Sequence, residues 1–327
     1  MGTQERVLKQ LEMRRGEFVS GAHIADELGV SRAAVNKSVE ALRAAGYHVD
    51  GATHKGYRLA GDTDIISKAA IENHLGKIGQ CLALTVYETI GSTNDCIKEK
   101  ALEGAPEFTT VIAGNQTSGR GRRGRAFFSP SNTGLYMSIL IRPQMDVRDS
   151  TFVTAAAAVA VAEAIAEVSG KETAIKWVND VYMEGKKICG ILTEGVVSME
   201  EAGLMYAVVG IGINVYPPIG GFPEEISDIA GSVFPDAGDC PMDARNRLAA
   251  AVLSRFLQYY TQIDERTFVE PYRARSFLPG CEVMVSKGEK ALLAEALRID
   301  DRLRLVVRYE DGTEEALESG EVSVHTR

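Results

Sequence analysis

Apolar residues recur at helical spacing three times within the first 46 positions. Val7, Leu8 and Leu11 make one stripe, and Ile24, Ala25 and Leu28 make a second that Gly29 ends. Val35, Val39 and Leu42 share one face of a third segment, with Ser31 placed as its N-cap and Gly46 as its stop. The four-residue turn LGVS joins the second and third segments, which is helix-turn-helix spacing. YHVD, a glycine-containing turn and GYRLA then read as two short strands, a wing. From Ser67 to Thr261 the pattern changes to strand-like runs alternating with helical ones: LALTVYE, a helix from Thr93, TTVIAG, LYMSILIR, a helix from Ser150, then TAIKWV. The runs 186–197 and 204–215 follow each other without a helix between them, which predicts antiparallel pairing and an α+β class rather than a doubly wound sheet. VMVS, LRLVVRY and EVSV, within Pro279–Arg327, predict a small β-rich tail. Three domains are expected, over residues 1–62, 63–276 and 277–327.

Charge sharpens the reading of the first segment. The chain carries 36 basic and 45 acidic side chains, a net charge of −9, which excludes a wholesale nucleic-acid coat but not a local basic face. Residues 1–60 hold nine Lys/Arg against seven Asp/Glu, net +2, while the remainder is net −11. Ser31, Arg32, Asn36 and Lys37 occupy the opening turns of the third helix, where a recognition helix meets base edges and phosphates, and His54 and Lys55 sit at the wing tip. These six are candidate DNA contacts. A three-helix packing or dimerisation module with solvated charges is the alternative.

Other counts restrict the chemistry. The five cysteines form no C-x-x-C pair, so a reduced, cytoplasmic protein without a disulfide framework is expected. The uncharged apolar stretch Ser150 to Ala162 falls short of the about 20 residues a bilayer needs. MGTQER offers no apolar signal region, and Arg6 stands where a myristoylation motif needs Ser or Thr, so no membrane partner is expected. Of the five histidines, His23, His48, His54, His74 and His325, none lies between residues 75 and 324. The central region therefore has no Ser-His-Asp triad or H-E-x-x-H zinc site of its own.

The segment GRGRRGR, residues 119–125, formally matches G-x-G-x-x-G, yet AFFSPSNTG follows, and Pro130 and Gly134 prevent the helix that a dinucleotide fingerprint requires. No Walker A sequence is present. What remains is a loop with Arg120, Arg122, Arg123 and Arg125 and no acid, either a solvated basic turn or a cradle presenting amides and guanidinium groups to a phosphate or carboxylate. Around it stand Ser92, Thr93 and Asn94 opening a helix, Gln116 closing a strand, KWVND at 176–180, Lys186 and Lys187, and GIGIN at 210–214. Taken singly, each has a structural explanation as a cap, a strand end, a solvated lysine or a bulge.

In order and spacing, GSTN (91–94), QTSGRGRRGR (116–125), KWVND (176–180), KICGIL-x-E (187–194) and GIGINV (210–215) together resemble the catalytic core of biotin–protein ligases. With the helix-turn-helix in front and the β tail behind, the whole chain resembles the bifunctional biotin ligases that also repress the biotin operon. The resemblance implies a multidomain chain: a winged helix-turn-helix, a central α+β catalytic domain of the biotin/lipoate ligase type, and a small C-terminal SH3-like β-barrel. Val178 stands where the family usually has Pro, and Phe127 where it usually has Trp.

The family reaction, so implied, has two steps. Biotin carboxylate attacks the α-phosphorus of ATP to give biotinyl-AMP and pyrophosphate; a lysine of the biotin carboxyl carrier protein of acetyl-CoA carboxylase then attacks the acyl carbon. Lys187, Arg122 and Asp180 are the implied catalytic residues, with Lys187 at the carboxylate and α-phosphate and Asp180 accepting a proton from the incoming lysine. Ser92, Thr93, Asn94 and Gln116 are implied at biotin's ureido ring, Phe127 beside its apolar part, and Arg120, Gly121, Arg122 and Lys187 at its carboxyl group. Arg120, Arg122, Arg125, Lys187 and Asn214 are implied for the nucleotide. Mg²⁺ is expected to arrive on the ATP phosphates, with no protein metal site. Operator DNA of biotin synthesis genes and an adenylate-bound homodimer are the further implied partners. A ligand-sensing repressor without turnover and a lipoate–protein ligase are the competing readings.

Overall fold

The computed structural model describes residues 2–146, 149–197, 204–236, 240–287, 290–318 and 320–324. The first three helices are α1 (Thr3–Glu12), α2 (Gly21–Leu28) and α3 (Arg32–Ala44). Ser20 and Ser31 cap α2 and α3 by accepting from the N–H of Ala22 and Ala34, and Gly29 ends α2 in the left-handed conformation, as its lack of a Cβ allows. Val7, Leu11, Ile24, Val35, Val39 and Leu42 meet in one buried cluster, so the three apolar stripes face each other. The hairpin β1 (Val49–Ala52) and β2 (Gly56–Leu59) forms the wing, and Leu59 plugs the same cluster.

A polar network ties this unit to the rest of the chain. Arg15 donates to both carboxylate oxygens of Glu12 and to the carbonyl of Thr63, and lies 3.2 Å from Asp243. His74, in α4 (Lys68–Leu75), and Asn246 also engage Asp243, at 2.8 and 2.6 Å. Burial pushes the Glu12 carboxyl above its ordinary range despite the opposing Arg15.

The central sheet runs in the order β3 (Ala83–Tyr87), β4 (Thr109–Ala113), β5 (Gly134–Ile141), β9 (Leu204–Asn214), β8 (Lys186–Val197), β7 (Asp180–Met183) and β6 (Ala174–Lys176). Only β3 and β4 are parallel, linked by α5 (Thr93–Leu102); the other neighbours are antiparallel, including the expected β8–β9 pair. A single-turn helix, α7 (Glu224–Ser227), follows β9. One face of the sheet packs on α6 (Ser150–Ser169) and α8 (Ala244–Thr261) through Met137, Ile139, Val209, Ile211 and Ile213. The strand period of two sends the alternate residues to the other face. There Leu140, Tyr206 and Val208 pack beneath α5, and farther along β9 the same face carries Gly210 and Gly212. Helix α6 extends beyond the uncharged stretch to 20 residues, long and apolar enough to cross a membrane, but most of it is buried against the sheet and α8, as a core helix is.

Helix α9 (Val269–Arg275) leads to a five-stranded antiparallel sheet: β10 (Glu282–Lys287), β11 (Lys290–Ile299), β12 (Leu305–Tyr309), β13 (Glu314–Leu317) and β14 (Glu321–Val324), in the order β13-β12-β11-β10-β14. The expected closed barrel is not observed: among the described residues no pairing joins the outer strands β13 and β14. Each has only four residues, and the sheet's inward side chains, such as Val283, Ala296 and Val307, belong to the same buried cluster as the central sheet. Coverage by a neighbouring domain removes much of the demand that closure would otherwise meet.

Candidate active site and DNA-reading face

A cleft of about 520 Å³ opens over the glycine-bearing face of the central sheet, within the range of small-molecule sites. Its floor follows from strand register. Tyr136 pairs with Gly212, Gly212 with Gly190, and Gly190 with Asp180, while one row along Ser138 pairs with Gly210 and Gly210 with Leu192. A Cβ on Gly212 would stand 2.6 Å from the Phe127 ring, and one on Gly210 would stand 2.2 Å from Asn94 Oδ1. The glycines of GIGIN thus let an aromatic ring and a buried amide lie directly on the sheet. Phe127 meets Tyr136 edge-on, with ring centroids 6.3 Å apart.

At one end of the cleft, Ser92 caps α5 and Thr93 and Asn94 open it, all three buried. Gln116 Oε1 accepts from the Thr93 N–H at 2.8 Å and lies 3.1 Å from the Thr93 hydroxyl. Ser138 Oγ lies between Asn94 Oδ1 (2.5 Å) and Thr93 Oγ1 (2.7 Å), and the Asn94 amide donates to Glu194 at 2.7 Å. Both ends of the Asn94 side chain are therefore engaged by protein groups. Lys98 also donates to Glu194 at 2.7 Å. Burial pushes the Glu194 carboxyl upward, but the Lys98 and Asn94 hydrogen bonds outweigh it and hold the group below its ordinary range.

At the other end lies the arginine loop. It folds on itself through Gly121 N–H to Arg125 carbonyl and Phe127 N–H to Gly119 carbonyl bonds, with a single 3₁₀ turn at Arg122–Gly124. Although the loop has no acid of its own, Asp95 of α5 pairs with Arg120 at 2.8 Å. Arg122 donates to Asn179 Oδ1 at 2.9 Å, and Asn179 in turn donates to the Ile191 carbonyl. Arg123, Gly124 and Arg125 are exposed. Lys187 projects from β8 to within 2.7 Å of Asp180, and its backbone pairs with segment 229–231. Asn214 lines the cleft but donates to the Gly231 carbonyl. Beneath the floor, burial pushes the Cys189 thiol up, which disfavours the thiolate.

All the cleft residues named from the sequence come together, from α5, the 116–127 loop, β7, β8 and β9. Sequence reasoning assigned no role to Asn179, Ser138 or Glu194. Asn179 and Glu194 lie inside the motifs KWVND and KICGIL-x-E, which was the available signal; nothing local marks Ser138. It also missed Ser286, Val322 and Ser323 of the C-terminal sheet, which line the cleft from across the molecule. The Val178 turn is braced from outside: Tyr272 donates its hydroxyl to the Val178 carbonyl, and Trp177 Nε1 donates to the Leu303 carbonyl.

Among the described residues no group of three or more His, Cys, Asp or Glu side chains is disposed to hold a metal. Asp180, the carboxylate lining the cleft, is already paired with Lys187. This donor set does not build a resident Mg²⁺ cage.

On the N-terminal unit, Ser31, Arg32, Asn36 and Lys37 lie exposed along the start of α3, and His54 and Lys55 are exposed at the wing tip. Tyr57 of the wing donates its hydroxyl to Asn36 Oδ1, and Lys55 and Arg58 stack over Phe18 at 5.9 and 4.7 Å. Helix and wing thus form one continuous face with cations on both parts.

Residues 86–214 match the model of the biotin/lipoate A/B protein ligase family, and residues 3–58 match an HTH domain model. The chain is 41% identical over 223 residues, 68% of each protein, to the bifunctional ligase/repressor BirA of Bacillus subtilis. It is 29% identical over 319 residues to BirA of Escherichia coli, spanning 96% of this chain and 95% of the other. The structure of biotin protein ligase from Aquifex aeolicus in complex with biotin and ATP aligns with a TM-score of 0.62 at 29% identity, covering 75% of this chain and 99% of that one.

Proposed function

The chain belongs to the biotin/lipoate A/B protein ligase family, and from that premise we propose that it activates biotin with ATP, transfers it to a carrier-protein lysine, and represses transcription through its helix-turn-helix domain. The observation that carries the reading is the pairing of Lys187 with Asp180 at 2.7 Å on a glycine floor, beneath a loop of four arginines. Residues 63–276 are the catalytic unit, 1–62 the DNA reader, and 277–327 a small β module that reaches the cleft through Ser286 and Ser323.

Both reactants of the first step are anions, so the protein's main task is electrostatic. Lys187 offers a compact ammonium to the biotin carboxylate and α-phosphate, and Arg120 and Arg122 cover the same oxygens with guanidinium forks. Arg125 and Asn214 face the nucleotide, and the Gly121 amide completes the cradle. A carboxylate oxygen bonds to the α-phosphorus as pyrophosphate leaves. A neutral carrier lysine then attacks the acyl carbon, AMP leaves, and Asp180 takes the proton that the amine loses. Lys187 stands 2.7 Å from that carboxylate. Mg²⁺ comes with the ATP phosphates as part of the substrate. Ser92, Thr93 and Gln116 serve the ureido ring, the buried Asn94 acts on it through its neighbours, and Phe127 serves the apolar remainder.

Incubation of the protein with biotin, MgATP and a biotin carboxyl carrier domain tests this: the carrier gains the mass of one biotinyl group. Absence of pyrophosphate release with biotin bound favours a repressor without turnover, and preference for lipoate over biotin in a competition assay favours a lipoate ligase.

For the regulatory half, we propose that the adenylate neutralises and orders the arginine loop and so completes a homodimer surface. Paired recognition helices then read a two-fold operator in biotin synthesis genes. Arg32, Asn36, Lys37, His54 and Lys55 make the contacts, with Ser31 capping the helix. By linkage, operator DNA favours the adenylate-bound dimer in return. A non-hydrolysable adenylate analogue that binds without changing self-association or DNA affinity overturns the coupling.

A further inference from the structure

Five side chains form an unbroken polar chain from the surface to the cleft: Lys98, Glu194, Asn94, Ser138 and Thr93. The successive distances are 2.7, 2.7, 2.5 and 2.7 Å, and Ser138, Asn94 and Thr93 are buried. Buried hydrogen-bonding groups need partners, and each short contact needs one proton between its heavy atoms. That requirement sets the direction of every bond.

Lys98 only donates. Glu194, ionised beside it, only accepts, so the amide of Asn94 presents its NH₂ to Glu194. Asn94 Oδ1 therefore faces Ser138 and has no proton to give. The single proton of the Ser138 hydroxyl goes to Oδ1. The 2.7 Å contact between Ser138 and Thr93 must then be bridged by the Thr93 proton. Gln116 Oε1, 3.1 Å from the Thr93 hydroxyl, is the competing acceptor, but it already receives the Thr93 N–H at 2.8 Å, and giving it the hydroxyl proton would leave the shorter Ser138–Thr93 contact with none. Thr93 is left with lone pairs, and no proton, for the cleft.

We propose that Glu194 is a positioning and specificity-determining residue: acting through Asn94 and Ser138, it makes the Thr93 hydroxyl an acceptor that selects a ligand N–H. The inference rests on the reading of this cleft as the biotin site. It explains how the site distinguishes a cyclic urea, which carries N–H groups, from a ring acid that carries none. A site built to accept a hydrogen bond rejects ligands that leave it unpaired.

Reversal of the chain is the test. In Glu194→Gln, Lys98 still claims an oxygen, so the NH₂ of the introduced amide faces Asn94. Asn94 must flip, Ser138 must donate to Thr93, and Thr93, with one of its two lone pairs now taken, turns its proton to Gln116 Oε1 or to the cleft. A folded E194Q protein is expected to bind biotin roughly 10- to 100-fold more weakly than wild type, with the KM for ATP little changed. Adding Asn94→Asp restores the original direction, because Asp accepts from both neighbours, and E194Q/N94D should recover most of the affinity. E194Q/K98M leaves the introduced amide free to turn and should recover affinity by a different route. Wild type supplies a measurement that needs no variant to fold. Of the two cyclic-carbamate isomers of biotin, each with one ureido N–H replaced by oxygen, one should bind at least about 10-fold more weakly than the other.

Wild-type biotin affinity in E194Q, loss in E194Q that neither double variant restores, or equal binding of the two carbamates overturns the relay. Failure of the wild-type protein to bind biotin at all overturns the functional reading beneath it.

Discussion

At one end of the cleft Thr93, Asn94 and Ser138 are buried and mutually bonded; at the other, Arg120 is about half exposed and is held by an ion pair with the partly exposed Asp95. On the proposed reading of the cleft, the difference follows from what each end binds. A neutral ureido ring offers donors and acceptors at fixed angles, and it is recognised by groups whose positions and proton directions are settled in advance. Charged phosphates and carboxylates are recognised over longer range, and surface ion pairs of the Arg120–Asp95 kind are worth only about 0–1 kcal/mol, so they yield easily to a competing anion. Buried, mutually bonded groups sit where direction matters, and exposed charges where charge suffices.

The sharpest way to test the charged end is Lys187→Ala. It should reduce adenylate synthesis by on the order of 10²–10³-fold with the fold retained, because the lysine is a third exposed and packs little. Pyrophosphate release measures it, and near-normal release by a folded variant breaks the assignment.

Salt should separate the two ends next. Thr93→Val is expected to weaken biotin binding by roughly 10-fold or more, by a factor that hardly changes between about 0.05 and 0.5 M salt, since the contact is buried and neutral. Arg120→Ala should weaken adenylate-analogue binding most at low salt and progressively less as screening grows. Calorimetric titrations at both ionic strengths decide the point; a salt-sensitive Thr93→Val penalty would erase the contrast between the two ends.

The smallest expected effect concerns acid stability. The Glu194 carboxyl is held below its ordinary value of 4.5 in the folded protein. Its stabilising contribution is therefore complete above that value and disappears as the pH falls through the folded-state value. The melting temperature of wild type should exceed that of Glu194→Gln by a steady margin above about pH 5, and the margin should close in more acid buffer. A margin that widens on acidification contradicts the hydrogen bonds drawn to this carboxylate.

Local signals in the chain determine much of this molecule. The helical stripes around Val7, Ile24 and Val35, the Ser31 cap, the glycine stops and the β8–β9 pair depend on interactions within a few residues or on simple periodicity, and all appear as expected. The ordered motifs from GSTN to GIGINV likewise identify the family from residue type and spacing alone. What only the tertiary structure decided are pairings across long sequence separations. Asn94 meets Glu194 across 100 residues, Arg122 meets Asn179 across 57, and Trp177 meets Leu303 across 126. The open edges of the C-terminal sheet belong with them, because closure depends on what covers an apolar face and not on the strands' own pattern. A lone buried serine such as Ser138 carries no periodic or motif signal. Its meaning comes from the single proton it must give to one neighbour or another, and that choice exists only once β5, β8, β9 and α5 have brought five side chains into line.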